Sequence, residues 1–481
     1  MSLFARAWNL IQFPPMSNRL LTLLRASRDI QQTQRLDREA MLAVQERRWR
    51  AMVRHALNVS PFYRRRLAGL DPEHCALSDI PPLTKPELLE HWDEIVADPR
   101  LQSAPMEKYV ADPSNWSRLF HNRWMVCRSS GTTGLAITFP QPVEALDWMH
   151  AAHYVRNGTS ANEPNRARWY PGRPRQRLVS IACMQTPCAS SGIYNTRPWV
   201  GDLFLKHHLL DVGTPWPEMI EQLNRIQPQV LAAFASVLSC LARAQLDGQL
   251  HLDFSGPRAC IFSGGDGLTP GIRALCRKAF GIEPLNGYGS TETTTVARQL
   301  RGTDHLMLME DLVVYEPVDE HERPVAEGEL SHHALVTPLI NRDVPLLRYR
   351  ISDRARPGPI QPGWPFRTLI EVLGRTAMTF TFRVPEPRRV NGVDLMRAWY
   401  DDTRVVEYQL RQLSPSVLHV AFIPQPGEDG AALAAELSAD LRALLDEAGC
   451  RTVRCDVVPV PDLEKHPLSG KVERFIPLNE E

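Results

Sequence analysis

The sequence predicts an α/β protein: a large layered α/β N-terminal domain, residues 1–373, followed by a small α+β C-terminal domain, residues 374–481. Three observations carry this. The 481 residues exceed the size at which one hydrophobic core usually keeps growing. Short apolar runs alternate with helical patterns from about residue 176 to 290, as in a sheet covered by helices. After the run "RARPGPIQPGWPFR", with four prolines, Gly358 and Gly363, the pattern restarts as strands around one long helix.

Residues 36–70 read as a helix, with Leu42, Trp49, Met52, Val53, Ala56 and Leu57 at helical spacing. Thr84 is placed to cap a helix starting near Pro86. "RWMVCRSSGTTG" reads as a strand running into a loop, and "VEALDWMHAAHYVRN" as an amphipathic helix. "RLVSIAC" and "LKHHLLDV" read as strands, and 216–247 as two helical runs parted at Gln227-Pro228. "RACIFSGGDGL" and "EPLNGYGSTE" are strands ending in turns, with the helix "TPGIRALCRKAF" between them. From 309 the chain turns strand-rich, and the last domain holds "VEYQLRQL", "VLHVAFI" and "RTVRCDVVPV" around the helix "AALAAELSADLRALLDEAG".

The apolar share of 43% and charged share of 23% are those of an ordinary soluble globular protein. Basic and acidic residues number 55 each, and this balance argues against nucleic acid or an anionic membrane as partner. The N-terminal stretch is partly apolar, but Asn9, Gln12, Pro14 and Pro15 interrupt it, so neither a signal peptide nor a membrane span is expected. Nine cysteines without a CxxC pair fit reduced thiols in a cytoplasmic protein. Cys183/Cys188 and Cys450/Cys455 lack further ligands at zinc spacing.

The stretch "CRSSGTTGLAITFP" packs Ser129, Ser130, Gly131, Thr132, Thr133 and Gly134 together. Glycines let backbone N–H groups converge and hydroxyls add donors, which suits phosphate; a capped surface turn is the plain alternative. It is not a GxxxxGK[ST] loop, since Leu135 follows Gly134. In "NGYGSTET", Tyr288 suits stacking on a planar ring, and Thr291 and Glu292 suit Mg²⁺; the alternative is a turn with a helix cap at Ser290 or Thr291. In "RYRISD", Asp353 is expected at a strand end, where a carboxylate accepts from a ribose diol, or else pairs with Arg348, Arg350 or Arg354. "GRT" at 374–376 and "HPLSGKVERF" at 466–475 complete the series, the latter bringing Lys471, a residue type usually found solvated.

The ordered set, with "RHALNVSPFYRRRLAGL", "IPPLTKPELLEH" and "RRVNGVDLM", resembles the adenylate-forming superfamily of acyl-CoA synthetases and adenylation domains. Within it the match is to the phenylacetate–CoA ligase-like branch, over residues 45–476. The resemblance implies ATP and Mg²⁺ as cofactors and a mobile C-terminal lid. Ser129 to Gly134 would hold the β- and γ-phosphates. Ser263, Gly264, Gly265 and Asp266 would line the nucleotide site, where the family usually carries Glu at the Asp266 position. Tyr288 and Gly289 would flank adenine, Glu292 with Thr291 would bind Mg²⁺, and Asp353 would hold the ribose. Arg375 would approach from the domain junction, and Lys471 would bridge carboxylate and α-phosphate. The acid pocket would lie at Phe234, Ala235, Ser236, Ser263 and Gly264.

Two departures stand out. Leu135-Ala136 replace the Lys-Pro that often follows the phosphate loop, and Gly374-Arg375-Thr376-Ala377-Met378 replaces the branch's GRxDDM hinge before a stretch carrying Pro385 and Pro387. The leading expectation is an ATP-dependent ligase that adenylates a small carboxylic acid, aromatic by analogy with the branch, and passes the acyl group to a thiol, CoA foremost. An acid-adenylating enzyme serving the phosphopantetheine of a separate acyl carrier protein, or an amine, is the alternative. A non-catalytic nucleotide-binding homologue is the third reading, and a homodimer is left open. GxGxxG is absent, which excludes a dinucleotide oxidoreductase.

Overall fold

The computed structural model describes residues 16–129, 136–156, 175–376, 378–383, 386–397, 399–466 and 470–478. Helices α1 (Met16–Thr33) and α2 (Arg38–Val59) open the described chain. The helix expected over 36–70 breaks at Ser60. A residue before proline is pushed from helical to extended backbone, and Ser60 instead caps Pro61–Arg66 by accepting from Tyr63 N at 3.2 Å. Thr84 caps Lys85–Glu90 as expected, with Glu87 closing a capping box.

Helix α3 (Val143–Arg156) is not amphipathic in its setting: it is buried on nearly every side because α1 lies against it. Its buried charges are therefore paired. Asp147 takes Arg19 at 2.6 Å, and Arg156 takes Asp311 at 2.6 Å with both side chains fully buried. Thr33 Oγ1 donates to the second partner of that pair at 2.7 Å, so the inward charges are hydrogen-bonded rather than orphaned.

A nine-stranded sheet forms the centre. Its strands are β1 (Gln176–Ala182), β2 (Leu205–Asp211), β3 (Val230–Ala233), β4 (Cys260–Gly264), β5 (Leu285–Tyr288), β6 (Ala297–Gln299), β7 (Leu306–Leu308), β8 (Asp353–Gly358) and β9 (Thr368–Arg375). They lie in the order β8-β9-β7-β6-β5-β4-β3-β1-β2. Strands β1 to β5 are parallel, and from β5 to β8 every neighbouring pair is antiparallel. Residues 216–247 are not two helices alone: α4 (Trp216–Ile226) is followed by β3 before α5 (Ala235–Leu246). Four apolar residues are too short a run to separate from the helix behind them by periodicity. Helix α6 (Pro270–Phe280) follows β4, and with α4 and α5 it covers one face of the parallel half through Leu223, Leu238, Leu241, Ile272 and Leu275.

The proline-rich run is partly strand. Arg354 to Gly358 belong to β8, and Pro357 is tolerated because β8 is an edge strand with a register shift beside it. Asp353 opens β8 rather than ending a strand. Tyr349–Ile351 belongs to a separate three-stranded sheet with Val313–Val318 and His333–Pro338, and Ser352 alone separates the two sheets.

Past β9 lies a four-stranded sheet: β10 (Val405–Ser414), β11 (Val417–Pro424), β12 (Arg454–Pro459) and β13 (Phe475–Ile476), in the order β12-β11-β10-β13. Helix α7 (Gly430–Glu447) packs on it through Leu433, Leu437, Leu441 and Leu445. This unit docks on α6, where Val406, Ala421, Ile423 and Leu463 share one core with Ile272 and Cys276. The approach is close: a Cβ at Gly271 would lie 1.8 Å from the Val405 carbonyl oxygen.

Three buried histidines make the fold acid-sensitive. Burial lowers His150 to about 3, and His207 and His333 to about 4, from an ordinary 6.5. The unfolded chain therefore binds more protons between pH 6.5 and about 4, so stability is complete above that window and falls as pH drops through it, by up to about 1.4 kcal/mol per pH unit for each histidine. Urea midpoints should decline from pH 6.5 to about 4.5, and His207→Gln should shallow that decline.

Candidate functional site

In an open sheet, ligands bind beyond the carboxyl ends of parallel strands where the strand order reverses. Here the reversal lies between β1 and β3, and the loops after β1, β3, β4 and β5 converge there. Among the described residues, most of the expected site gathers at this edge. Two groups stand out, one around Lys471 and one around Asp353.

After β4 the chain turns at Gly265, whose φ of +87° is the left-handed region that glycine adopts without strain. Its carbonyl accepts from Lys471 Nζ at 2.7 Å, and that ammonium sits 4.4 Å from the centroid of the Phe234 ring. Lys471 is thus drawn into the site rather than solvated. Burial holds its pKa below the usual lysine range, with the Asp266 carboxylate and the Cys188 and Cys183 thiols pulling the other way. Asp266 itself accepts from Ala235 N at 2.6 Å and from Ser236 N and Oγ at 3.1 and 2.9 Å. It caps α5, a contact not expected from the sequence. Ser263 Oγ is buried without a hydrogen-bond partner among the described residues.

Tyr288 ends β5 and donates its hydroxyl to Asp353 Oδ2 at 2.9 Å, its ring edge-on to Tyr315 with centroids 5.9 Å apart. Burial first, and then the Asp353 charge, keep that phenol protonated far above its ordinary range. Arg375 Nε donates to Asp353 Oδ1 at 3.1 Å, so the partner of Asp353 is Arg375 and none of Arg348, Arg350 or Arg354. Burial works against the Arg375 charge, and Asp353 more than offsets it. Each carboxylate oxygen of Asp353 has a second acceptor position, so a diol remains receivable.

Gly289 to Thr295 form a turn, not a capped helix. Thr294 N bonds the Ser290 carbonyl at 2.8 Å, and a Cβ at Gly289 would lie 2.1 Å from the Thr294 carbonyl oxygen. Gln141 Nε2 holds this turn through the carbonyls of Thr291 and Glu292 at 2.9 and 3.1 Å. The Glu292 side chain is buried, and its charge bears on Tyr349, Lys85 and Arg375. Mg²⁺ is commonly held by one or two carboxylates with phosphates and water, and Glu292 supplies one buried carboxylate at this turn. Among the described residues no cluster of three or more metal-ligating side chains occurs.

Ser129 closes the base of the hydroxyl-rich loop: its Oγ accepts from Ile137 N and its N–H bonds the Ile137 carbonyl, both at 2.9 Å. Ser130, Gly131, Thr132, Thr133 and Gly134 lie outside the described residues, as do Ala377 and Pro385. The sequence reading missed Lys85, Tyr349 and the loop after β1. In that loop the hydrogen bond with Cys183 draws the Cys188 thiol below its ordinary range, with Ser190 and Ser191 assisting. Pro187 of the same loop holds Arg128 N at 2.7 Å, beside Ser129. It missed Arg474 too, which pairs with buried Glu407 at 2.7 Å and reaches the Gly267 carbonyl at 2.5 Å. Such contacts carry no local spacing signal. A groove of about 640 Å³ between α1 and α2, lined by Arg35, Arg47, Arg48 and Arg342, contains none of the expected residues.

No sequence-family profile matches the chain. It is similar to the protein CapK of Staphylococcus aureus, 22% identical over 325 residues, covering 65% of this chain and 62% of CapK, so the match spans about three fifths of that relative's length. Among solved structures it resembles 2-hydroxyisobutyryl-CoA ligase in the postadenylation state with R3-HIB-AMP, at a TM-score of 0.67 and 19% identity over 93% of this chain and 91% of that one. Against the same ligase in the thioesterification state with 2-HIB-AMP and CoA, the TM-score is 0.52 at 19% identity over 92% and 91%. The chain thus shares the fold of that ligase over nearly its whole length.

Replacing Asp266 by Ala should remove the α5 cap and lower unfolding stability by about 1 kcal/mol. Asp266→Asn, which keeps the acceptor oxygen, should recover most of it in the same urea titration.

Proposed function

We propose that this protein is an ATP-dependent ligase that adenylates a carboxylic acid and passes the acyl group to a thiol, with CoA the foremost acceptor. The observation that carries the reading is the Lys471 ammonium, delivered by the C-terminal unit to the Gly265 carbonyl at the carboxyl ends of the parallel strands. The fold shared with a CoA ligase supports it.

Joining a carboxylate to an α-phosphate brings two anions together, so the barrier contains their repulsion and the cost of alignment. Lys471 would meet the first cost by bridging both groups in a site whose low dielectric strengthens its attraction to anions, although burial itself lowers its pKa. Asp353 would take the ribose hydroxyls while Tyr288 and Arg375 fix its orientation. Glu292, with Thr291, would hold Mg²⁺, which supplies charge neutralisation at the phosphates. The residues from Ser129 to Gly134 would receive the β- and γ-phosphates, and Phe234, Ala235, Ser236, Ser263 and Gly264 the acid. Lys471 sits on the C-terminal unit, so withdrawal of that unit would clear the acyl-adenylate for a second nucleophile.

Acid-dependent exchange of labelled pyrophosphate into ATP tests the first half-reaction across a panel of aryl and alkyl acids. Lys471→Ala should lower the exchange rate about 10²–10³-fold. CoA-dependent AMP release should follow with the same acid. Exchange without CoA turnover would assign the second step to a carrier-protein phosphopantetheine or an amine. ATP binding with no exchange for any acid would overturn the ligase reading.

A further inference from the structure

The central sheet has a face that α4 to α6 do not cover. Residues alternate across a strand, and Ile261 of β4 lies in the core beneath α5 and α6, so Phe262 and Gly264 point to the opposite side. Gly264 pairs with Gly287 of β5, and Gly287 pairs with Arg298 of β6, which puts all four residues on that face. Among the described residues, the two glycines leave it open: a Cβ at Gly264 would meet only backbone, the nearest atom being the Gly287 carbonyl oxygen at 3.2 Å, and one at Gly287 would meet only the Ser263 carbonyl oxygen at 3.6 Å.

At the rim of this strip stands Arg298, a charge with no carboxylate partner among the described residues. Arg298 is 9% exposed, and its guanidinium lies 4.3 Å from the centroid of the Phe262 ring. No carboxylate or hydrogen-bond acceptor among the described residues engages it, whereas Arg156, Arg348 and Arg474 are each paired with a carboxylate. Among the described residues, the other titratable groups around it offer no anion at neutral pH. Burial and the Arg298 charge hold His153 neutral, and burial raises the Cys260 thiol. Burial lowers Arg298 itself to about 10, so it remains charged. A buried, uncompensated guanidinium is costly, and its five donors suit a carboxylate bidentately.

We infer that Arg298 receives a second anionic group on the acid substrate, making the substrate class a dicarboxylic acid whose body lies over Gly264 and Gly287 beside the Phe262 ring. This rests on the adenylation reading for the assignment of the first carboxylate to Lys471. That end of the site adjoins Gly264 directly, since Lys471 bonds the carbonyl of Gly265. From Gly264 to Arg298 the strip crosses two strand spacings, about 10 Å in all, and the Arg298 side chain reaches back over Phe262, so the acid is a short one.

Calorimetry with matched acids tests this without requiring turnover: glutarate against pentanoate, adipate against hexanoate, and terephthalate against para-methylbenzoate, each with the whole protein. At least one dicarboxylate should bind about tenfold to a hundredfold tighter than its methyl-ended match. Arg298→Met, which replaces a buried charge by an apolar side chain of similar length and should fold, should abolish that preference; Arg298→Lys should retain part of it. Equal binding within every pair, no binding of any acid, or a preference that survives Arg298→Met would each overturn the proposal. Pyrophosphate exchange with the same acids reports adenylation separately. Exchange driven equally by monoacids leaves the ligase reading standing and removes this one, while dicarboxylate binding lost in Arg298→Met without exchange does the reverse.

Discussion

One carboxylate ties the two units of this protein to the same point. Asp266 stops the first turn of α5 from fraying by accepting two backbone N–H groups and a hydroxyl, and so fixes Phe234 at the end of β3. Its charge also bears on Lys471 and Arg474, both brought by the C-terminal unit. The donors at a helix N-terminus favour an anion there, and the anion in turn favours cations opposite. The Phe234 ring beneath the lysine and the Gly265 carbonyl beside it are positioned by the residues that flank this carboxylate. Without it, the lysine would face a frayed helix end.

The second group, around Asp353, depends on a change of sheet. Ser352 lets the chain leave the three-stranded sheet and enter the nine-stranded one, and Asp353 is the first residue after the change. It therefore lies at a corner that β5 reaches with Tyr288 and β9 with Arg375. Both donors are directional, so the carboxylate is held from two sides and its remaining acceptor positions face one way. Positioning of this kind costs nothing at the moment of reaction, because folding has already aligned the groups.

Much of this was legible in the sequence. The alternation of apolar runs identified the parallel strands, because β1, β4 and β5 are bounded by glycines and polar turns. Thr84 announced its helix through a capping box that needs only local spacing. Strand β3 escaped because four residues do not establish a period. The burial of α3 escaped because its covering helix comes from more than a hundred residues away. At the site, the hydroxyl-rich loop, Tyr288, Asp353 and Lys471 were visible as residue types, but what each touches was not. Asp266 serves a helix in this structure, and Arg375, not a neighbouring arginine, meets Asp353. Lys85 and Arg298 owe their places to neighbours far along the chain, for which a single chain carries no local signature, whereas the contacts of Cys188 are local and its spacing from Cys183 was visible.

The close seat of the C-terminal unit on α6 bears on how often the protein can change shape. Fully burying one large aliphatic side chain is worth about 1.5–3 kcal/mol, and Val406, Ile423 and Leu463 all lie in the shared core. Moving an equilibrium from one part in a hundred to ninety-nine takes about 5.5 kcal/mol. A seal of this size makes the parted arrangement a rare population unless another apolar surface receives the same side chains. The seat is also close, since a Cβ at Gly271 would lie 1.8 Å from the Val405 carbonyl oxygen, so any larger residue there would push the unit away. Any motion of the unit would have to expose those side chains to water or hand them to another apolar surface.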